Sequence, residues 1–295
     1  MLRINYFLLL VSFIGLSAVS AQTKTDSLLQ LSCSESGFAV CLPAAPGKNL
    51  EIVHHTAYSL GYSETHEQAA WVCYVLSKSE CRGEEDRSSS FYEDDKVTSG
   101  SASADDYKAS GYDRGHLAPA GDMTYSPLAM KESFYYSNMS PQVPSFNRGI
   151  WKNLETQVRD WGKISGPLLV LTGPLLTDSL PVIGPDSVAV PEWYYKIVVN
   201  SSSVPPQAIA FLLKNEASSG ELTDFVVTID DVEKLSGLDF LSVIPAETQA
   251  ALENHVNGSY WKGFESVKLL PPAPLKSDKK PAKKKKEKKT KTKKQ

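Results

Sequence analysis

After residue 21 no stretch approaches the roughly 18 apolar residues that a membrane-spanning helix needs, which excludes a bundle of spanning helices beyond that point. Cysteine is scarce, with four in 295 residues (Cys33, Cys41, Cys73 and Cys81). They form no Cys-x-x-Cys unit and no histidine stands at finger spacing from them, which counts against a structural zinc site. There is no glycine-rich loop of the kind that cradles a nucleotide phosphate, and no internal repeat that would indicate a solenoid. Of five histidines, His54, His55, His66 and His255 make no ligand cluster and read as structural or surface groups.

What is present is ordinary globular composition, 41% hydrophobic and 22% charged. Residues 1–21 set Arg3 before an apolar run that ends in Ala18-Val19-Ser20-Ala21. That pattern reads as a secretory signal cleaved after Ala21, with an uncleaved anchor as the alternative. A secreted or periplasmic destination is therefore expected. Disulfides are then favoured, Cys33–Cys41 and Cys73–Cys81 being the simplest of three connectivities. The net charge of −3 conceals an asymmetry: residues 276–295 hold 12 Lys against Asp278 and Glu287, a charge of +10, while residues 22–275 sum to −14. The body is acidic and the end is basic.

Runs such as Trp71 to Leu76, Leu168 to Leu171, Trp193 to Val199, Ala208 to Leu213 and Phe225 to Ile229 predict strands. Helices are fewer. Ser126-Pro127 is a cap followed by proline at the first helical position, and Thr228-Ile229-Asp230-Asp231 resembles a capping box whose helix stops at Gly237. Between about Asn147 and Trp161, Trp151, Leu154, Val158 and Trp161 recur every three or four residues and predict a helix with a buried stripe. Strands outnumber helices without alternating with them, which predicts an α+β domain over residues 45–270. It follows an N-terminal segment, 22–44, and precedes a disordered Lys-rich tail, 271–295.

Chemistry concentrates in the middle of the chain. His116 stands in Gly111-Tyr112-Asp113-Arg114-Gly115-His116-Leu117-Ala118-Pro119-Ala120, where an imidazole can serve as a base near neutral pH. A second segment reads Ser137-Asn138-Met139-Ser140-Pro141-Gln142, then Phe146-Asn147-Arg148-Gly149-Ile150-Trp151 and Leu154-Glu155. Together these segments resemble the DNA/RNA non-specific endonucleases of the ββα-metal class. The resemblance extends over most of residues 50–245, through His54-His55-Thr56-Ala57-Tyr58, Leu171-Thr172-Gly173-Pro174 and Val190-Pro191-Glu192-Trp193-Tyr194-Tyr195-Lys196.

That resemblance implies a central, mainly antiparallel sheet flanked by helices, and hydrolysis of phosphodiester bonds in DNA and RNA to leave 5′-phosphate ends. It implies His116 as general base and Asn147 as the protein's ligand to Mg²⁺, or alternatively Mn²⁺. Asn138 and Glu155 match supporting positions in the catalytic set. An upstream arginine meets the phosphate in this family, and Arg87 is the best positional match, with Arg82 the alternative. Asp113 and Arg114 are expected to brace the loop, and Arg148 to touch substrate. If Asn147 opens a regular helix, Glu155 lies about 12 Å further along, which argues against both touching one ion. A catalytically inactive module that binds nucleic acid or a surface on the same fold is the reading from a different class.

An acidic body is an unexpected carrier for a polyanion, because Lys and Arg contacts to phosphate usually supply the affinity. The Lys-rich tail is expected to hold nucleic acid, the alternative being a solvated extension that meets anionic surfaces. Truncation after Leu270 should therefore weaken DNA and RNA binding and flatten its dependence on salt by about 0.9 log units per phosphate released. Anisotropy titrations that give the same affinity and slope for both chains would dismiss tethering.

Overall fold

The computed structural model describes residues 42–267 and 269. The expected signal, Cys33, Cys41, most of the N-terminal segment and the Lys-rich tail lie outside these residues. The strands are β1 (Glu51–His54), β2 (Ser59–Ser63), β3 (Gln68–Leu76), β4 (Asp113–His116), β5 (Met139–Gln142), β6 (Leu168–Pro174), β7 (Val182–Ile183), β8 (Val188–Ala189), β9 (Trp193–Asn200), β10 (Gln207–Lys214) and β11 (Val226–Val227). The helices are α1 (Ala104–Tyr107), α2 (Pro127–Glu132), α3 (Pro144–Phe146), α4 (Lys152–Ser165), α5 (Ile229–Ser236) and α6 (Ala246–Glu253). None in the described chain is long and apolar enough to cross a membrane.

Seven strands form one sheet in the order β1-β2-β3-β6-β9-β10-β11, with every neighbouring pair antiparallel. Successive residues of a strand point to opposite faces, and here both faces are covered. On β3, Val72, Tyr74 and Leu76 enter one core while Trp71 and Cys73 enter the other. This double burial explains why strands such as Leu168-Leu169-Val170-Leu171 are apolar throughout instead of alternating. Over the first core lies α4, contributing Leu154, Val158 and Trp161, with the Trp161 and Trp261 rings 4.7 Å apart. Over the second lie α5 and α6, contributing Ile229, Val232 and Leu252. The arrangement is the α+β architecture expected, a mainly antiparallel sheet flanked by helices.

The expected caps form. Ser126 Oγ accepts from Ala129 N–H with Pro127 in the first turn of α2, and Thr228 Oγ1 accepts from Asp231 N–H at 3.1 Å. Gly237, at φ +66°, ends α5 in the left-handed region that glycine enters without a Cβ penalty. Two boundaries differ from the sequence reading. The strand expected over Phe225 to Ile229 shrinks to Val226–Val227, because the Thr228 capping box draws Ile229 into a helix. The helix expected from Asn147 begins regularly only at Lys152; residues Asn147–Trp151 form a wide π turn broken at Gly149 (φ −105°, ψ −114°).

A second correction concerns the cysteines. Cys73 and Cys81 are not bonded to each other. Cys73 projects into the second core from β3, whereas Cys81 packs beside the first and points its thiol at Arg159 O, 3.7 Å away. The sheet stands between them, so equal sequence spacing does not translate into facing side chains.

Strands β4 and β5 form a separate ribbon, with Asp113 opposite Gln142, Arg114 opposite Pro141, Gly115 opposite Ser140 and His116 opposite Met139. A Cβ on Gly115 would overlap the Gln142 side chain, itself fully buried, so the ribbon closes only around glycine here. Gly115→Ala is expected to lose about 1–3 kcal/mol of stability through overpacking, read as a lower urea midpoint. An unchanged midpoint would show that Gln142 gives way freely.

Candidate active site

The β4–β5 ribbon delivers His116, and the π turn and α4 deliver the groups facing it. Asn138 anchors the ribbon from behind. Its Oδ1 accepts from Ala118 N–H at 2.9 Å, and its Nδ2 donates to Ala118 O at 2.9 Å and Ser133 O at 2.8 Å. The carboxamide is fully buried and engaged by backbone. It holds the segment after His116 in position, with both ends of the carboxamide committed to backbone. Asp94 braces the same region, accepting from Ser137 Oγ at 2.5 Å and from His55 Nε2 at 2.9 Å. His55 is thus a buried structural histidine.

The His116 ring is buried against Phe134, centroids 4.8 Å apart. Its imidazole hydrogen-bonds to the Arg114 backbone, and its Nε2 is a buried atom without a hydrogen-bond partner among the described residues. The donor is therefore Nδ1–H, and the neutral tautomer leaves the Nε2 lone pair open. Burial first, then the Arg87 charge, push the imidazole down to about 3. It is neutral near pH 7, as a proton acceptor must be.

A cavity of about 520 Å³ lies beside it, lined by Arg87, Arg114, His116, Asn147, Arg148, Lys152, Glu155 and Arg159. Arg82 is not on its wall, whereas the Arg87 guanidinium sits 5.0 Å from the Phe134 ring centroid next to His116. Arg114 stacks 3.9 Å over Phe91. Asp113 organises the opposite wall: its Oδ2 accepts from Asn147 Nδ2 at 2.9 Å and from Arg148 Nε at 2.8 Å, and its Oδ1 from Arg148 Nη2 at 2.6 Å. Arg148, expected to touch substrate, is exposed on the rim but already grips this carboxylate in a bidentate pair. An adjoining depression of about 600 Å³ shares Arg114, Asn147 and Arg148 and continues past Phe91, Tyr107, Lys108 and Tyr112.

Asn147 and Glu155 line the same cavity, Asn147 from the start of the π turn and Glu155 from the first turn of α4. Burial pushes the Glu155 carboxyl up, and the Asp122 charge adds to this, against the pull of Lys196, Arg159 and Arg87. Lys196 is fully buried, and burial draws its ammonium down against the attraction of Glu155 and Asp122. Its Nζ lies 4.8 Å from the Trp151 ring centroid and donates to Thr172 Oγ1 at 3.2 Å. Asp122, buried too, accepts from Arg159 Nη1 at 2.6 Å and from Tyr74 OH at 2.7 Å. Sequence reasoning missed Lys196, Asp122, Arg159 and Tyr74 as parts of this site. A signal existed for one: a lysine between Tyr195 and Ile197 in an otherwise apolar strand has to be paired.

For a divalent cation the observation that matters is the Asn147 amide. Its Nδ2 donates to Asp113, which orients Oδ1 as the remaining acceptor, and with Glu155 the wall offers hard oxygen donors. The donor set fits a Mg²⁺-type ion that keeps most of its water.

The model of the DNA/RNA non-specific endonuclease family matches residues 38–247. The mitochondrial nuclease of Saccharomyces cerevisiae is 34% identical over 260 residues, covering 77% of this chain and 79% of that protein. Human nuclease EXOG, mitochondrial, is 37% identical over 204 residues, 63% of this chain and 55% of the human one. Among solved structures, the crystal structure of the EndoG/EndoGI complex matches with TM-score 0.63 and 32% identity, covering 67% of this chain and 88% of that one. The expected ββα-metal nuclease fold agrees with that likeness. The secreted or periplasmic destination does not hold: the yeast and human relatives are mitochondrial by name and point to that compartment instead of export.

Because its folded value lies below the ordinary imidazole range, His116 stays neutral and costs nothing above about pH 6.5, and stability falls as pH drops from there toward 3. In the native, metal-free protein the His116 ring resonances should therefore show no titration between pH 5 and 8. An NMR midpoint near 6.5 would contradict the buried, cation-flanked environment described.

Proposed function

The chain belongs to the DNA/RNA non-specific endonuclease family, it is a hydrolytic nuclease, and from that premise we propose that it cuts phosphodiester bonds within DNA and RNA at the cavity beside His116. The observation that carries this reading is a neutral, buried imidazole with an unpartnered Nε2, on the lining of a cavity that also holds four guanidinium groups and the Asn147 amide.

In this mechanism His116 Nε2 takes the proton from the attacking water, while Nδ1–H, held by the Arg114 carbonyl, stabilises the imidazolium that forms. Arg87 meets the non-bridging phosphate oxygens and neutralises charge that builds on the pentacovalent phosphorus. Asn147 Oδ1 would hold a divalent cation, Mg²⁺ in the first instance and Mn²⁺ as its substitute, with Glu155 orienting its surroundings. That ion would supply Lewis-acid polarisation and charge neutralisation to the phosphate; the P–O3′ bond breaks as the water oxygen bonds to phosphorus, the 3′ oxygen leaves with a proton from solvent, and 5′-phosphate ends are expected. Asp113 acts at one remove by orienting Asn147, and Asn138 by holding the ribbon. An incoming phosphate offsets the Arg87 charge, which raises the His116 affinity for a proton at the moment one must be taken.

The depression past Lys108 and Tyr112, beside the stacked Arg114, supports a sequence-tolerant track, since an aromatic face accepts any base and basic groups accept any phosphate. The groove reads backbone, not sequence.

His116→Ala should lower cleavage of both circular plasmid DNA and structured RNA by at least about a hundredfold while leaving the unfolding midpoint within a few degrees. Asn147→Ala should lose activity that higher Mg²⁺ partly restores. Cleavage persisting in His116→Ala above the background of a mock preparation would overturn the assignment of the base.

A further inference from the structure

On the far side of the sheet, Asp230 and Glu233 of α5 and Glu253 at the end of α6 bring carboxylate oxygens to within 4.8 Å of one another. Like charges at that separation repel unless something lies between them. Glu253 is 5% exposed, and its Oε1 is a buried atom with no hydrogen-bond partner among the described residues. A buried carboxylate oxygen with no donor is costly, and the other acidic groups around it make it costlier. One oxygen of Glu233 has a donor: Oε1 accepts from Phe240 N–H at 2.7 Å. Lys234, on the same helix, pairs with Asp231 instead, Nζ to Oδ1 3.7 Å.

We propose that Asp230, Glu233 and Glu253 form a structural cation site that takes a calcium-sized divalent ion and clamps α5 to the end of α6. All three donors are hard oxygens, which favours Ca²⁺ or Mg²⁺ over softer metals. Three protein carboxylates on one ion suit Ca²⁺, which takes six to eight oxygens in flexible geometry, better than Mg²⁺, which demands a near-ideal octahedron and usually keeps several waters beside one or two carboxylates. The third ligand, Glu253, lies beyond the 38–247 stretch matched by the family model, and the sheet separates the trio from the nuclease cavity. The site is therefore distinct from the one at Asn147. Without a counter-cation, burial and the Glu233 charge push the Glu253 carboxyl up to about 8, so a proton is the ion's competitor.

The test uses the full chain stripped with EDTA and followed by thermal unfolding at pH 7.5, with CaCl₂ or MgCl₂ as the only added divalent salt. For a millimolar site, 10 mM Ca²⁺ should raise the midpoint by about 3 °C in the unaltered chain and equally in Asn147→Ala, where the catalytic ligand is gone. Mg²⁺ should raise it less in Asn147→Ala. In Glu253→Gln the calcium-dependent rise should vanish while the midpoint in EDTA goes up, because a neutral amide no longer has to take up a proton to be buried there. Asp230→Asn should behave alike and serves if Glu253→Gln fails to fold. No calcium-dependent rise, an equal rise with Mg²⁺ in Asn147→Ala, a rise retained in the carboxylate variants, or a midpoint that follows pH alone would each overturn the site.

Discussion

The Asp113 carboxylate ties the first strand of the ribbon to the turn before α4 through one hydrogen bond from Asn147 and two from Arg148. His116 lies three residues along the same strand, so the imidazole and the Asn147 amide share one rigid reference instead of being set by two independent loops. That strand is pinned in turn by Gly115 closing on Gln142 and by Asn138 holding Ala118. A site assembled from separated segments keeps its geometry only when each segment is cross-braced in this way, because small displacements of reacting groups are expensive in rate.

Charge is distributed with the same economy. The stretch 22–275 is strongly acidic, yet the charged residues lining the cavity are five cations against one carboxylate, Glu155. A positive patch in an otherwise repelling surface concentrates the field and gives a polyanion one place to settle. Beneath that wall, Lys196, Asp122, Arg159 and Tyr74 form a buried layer of opposite charges and donors around Glu155. Removing any one of them leaves a charge uncompensated in a poorly solvated place, so this hidden layer constrains the site as firmly as the groups at the surface.

How far the sequence could be read depends on the range of each signal. Caps at Ser126 and Thr228 and the stripe of Trp151, Leu154, Val158 and Trp161 are local, and they were legible. Family-like segments located His116, Asn147, Glu155 and Arg87, and the fold brings all four to one cavity. What was illegible required knowledge of which faces meet. Cys73 and Cys81 have a disulfide-like spacing but project to opposite sides of the sheet. The wide turn was hidden as well, because the stripe from Trp151 onward signals a helix and nothing in Asn147-Arg148-Gly149 marks where its regular part begins. How Asn138 supports the site was also out of reach, because its three backbone partners lie on Ala118 and Ser133, one of them twenty residues away.

The central sheet is also a partition. Its first face supports the ribbon, α4 and the cavity, while its second supports α5 and α6 under a separate apolar core. A molecule fixed to a bead or a fusion partner through the exposed side of α6 would hold its cleft outward, open to long polymers. Orientation, usually left to chance when an enzyme is immobilised, is here settled by which side of one sheet the linker is attached to.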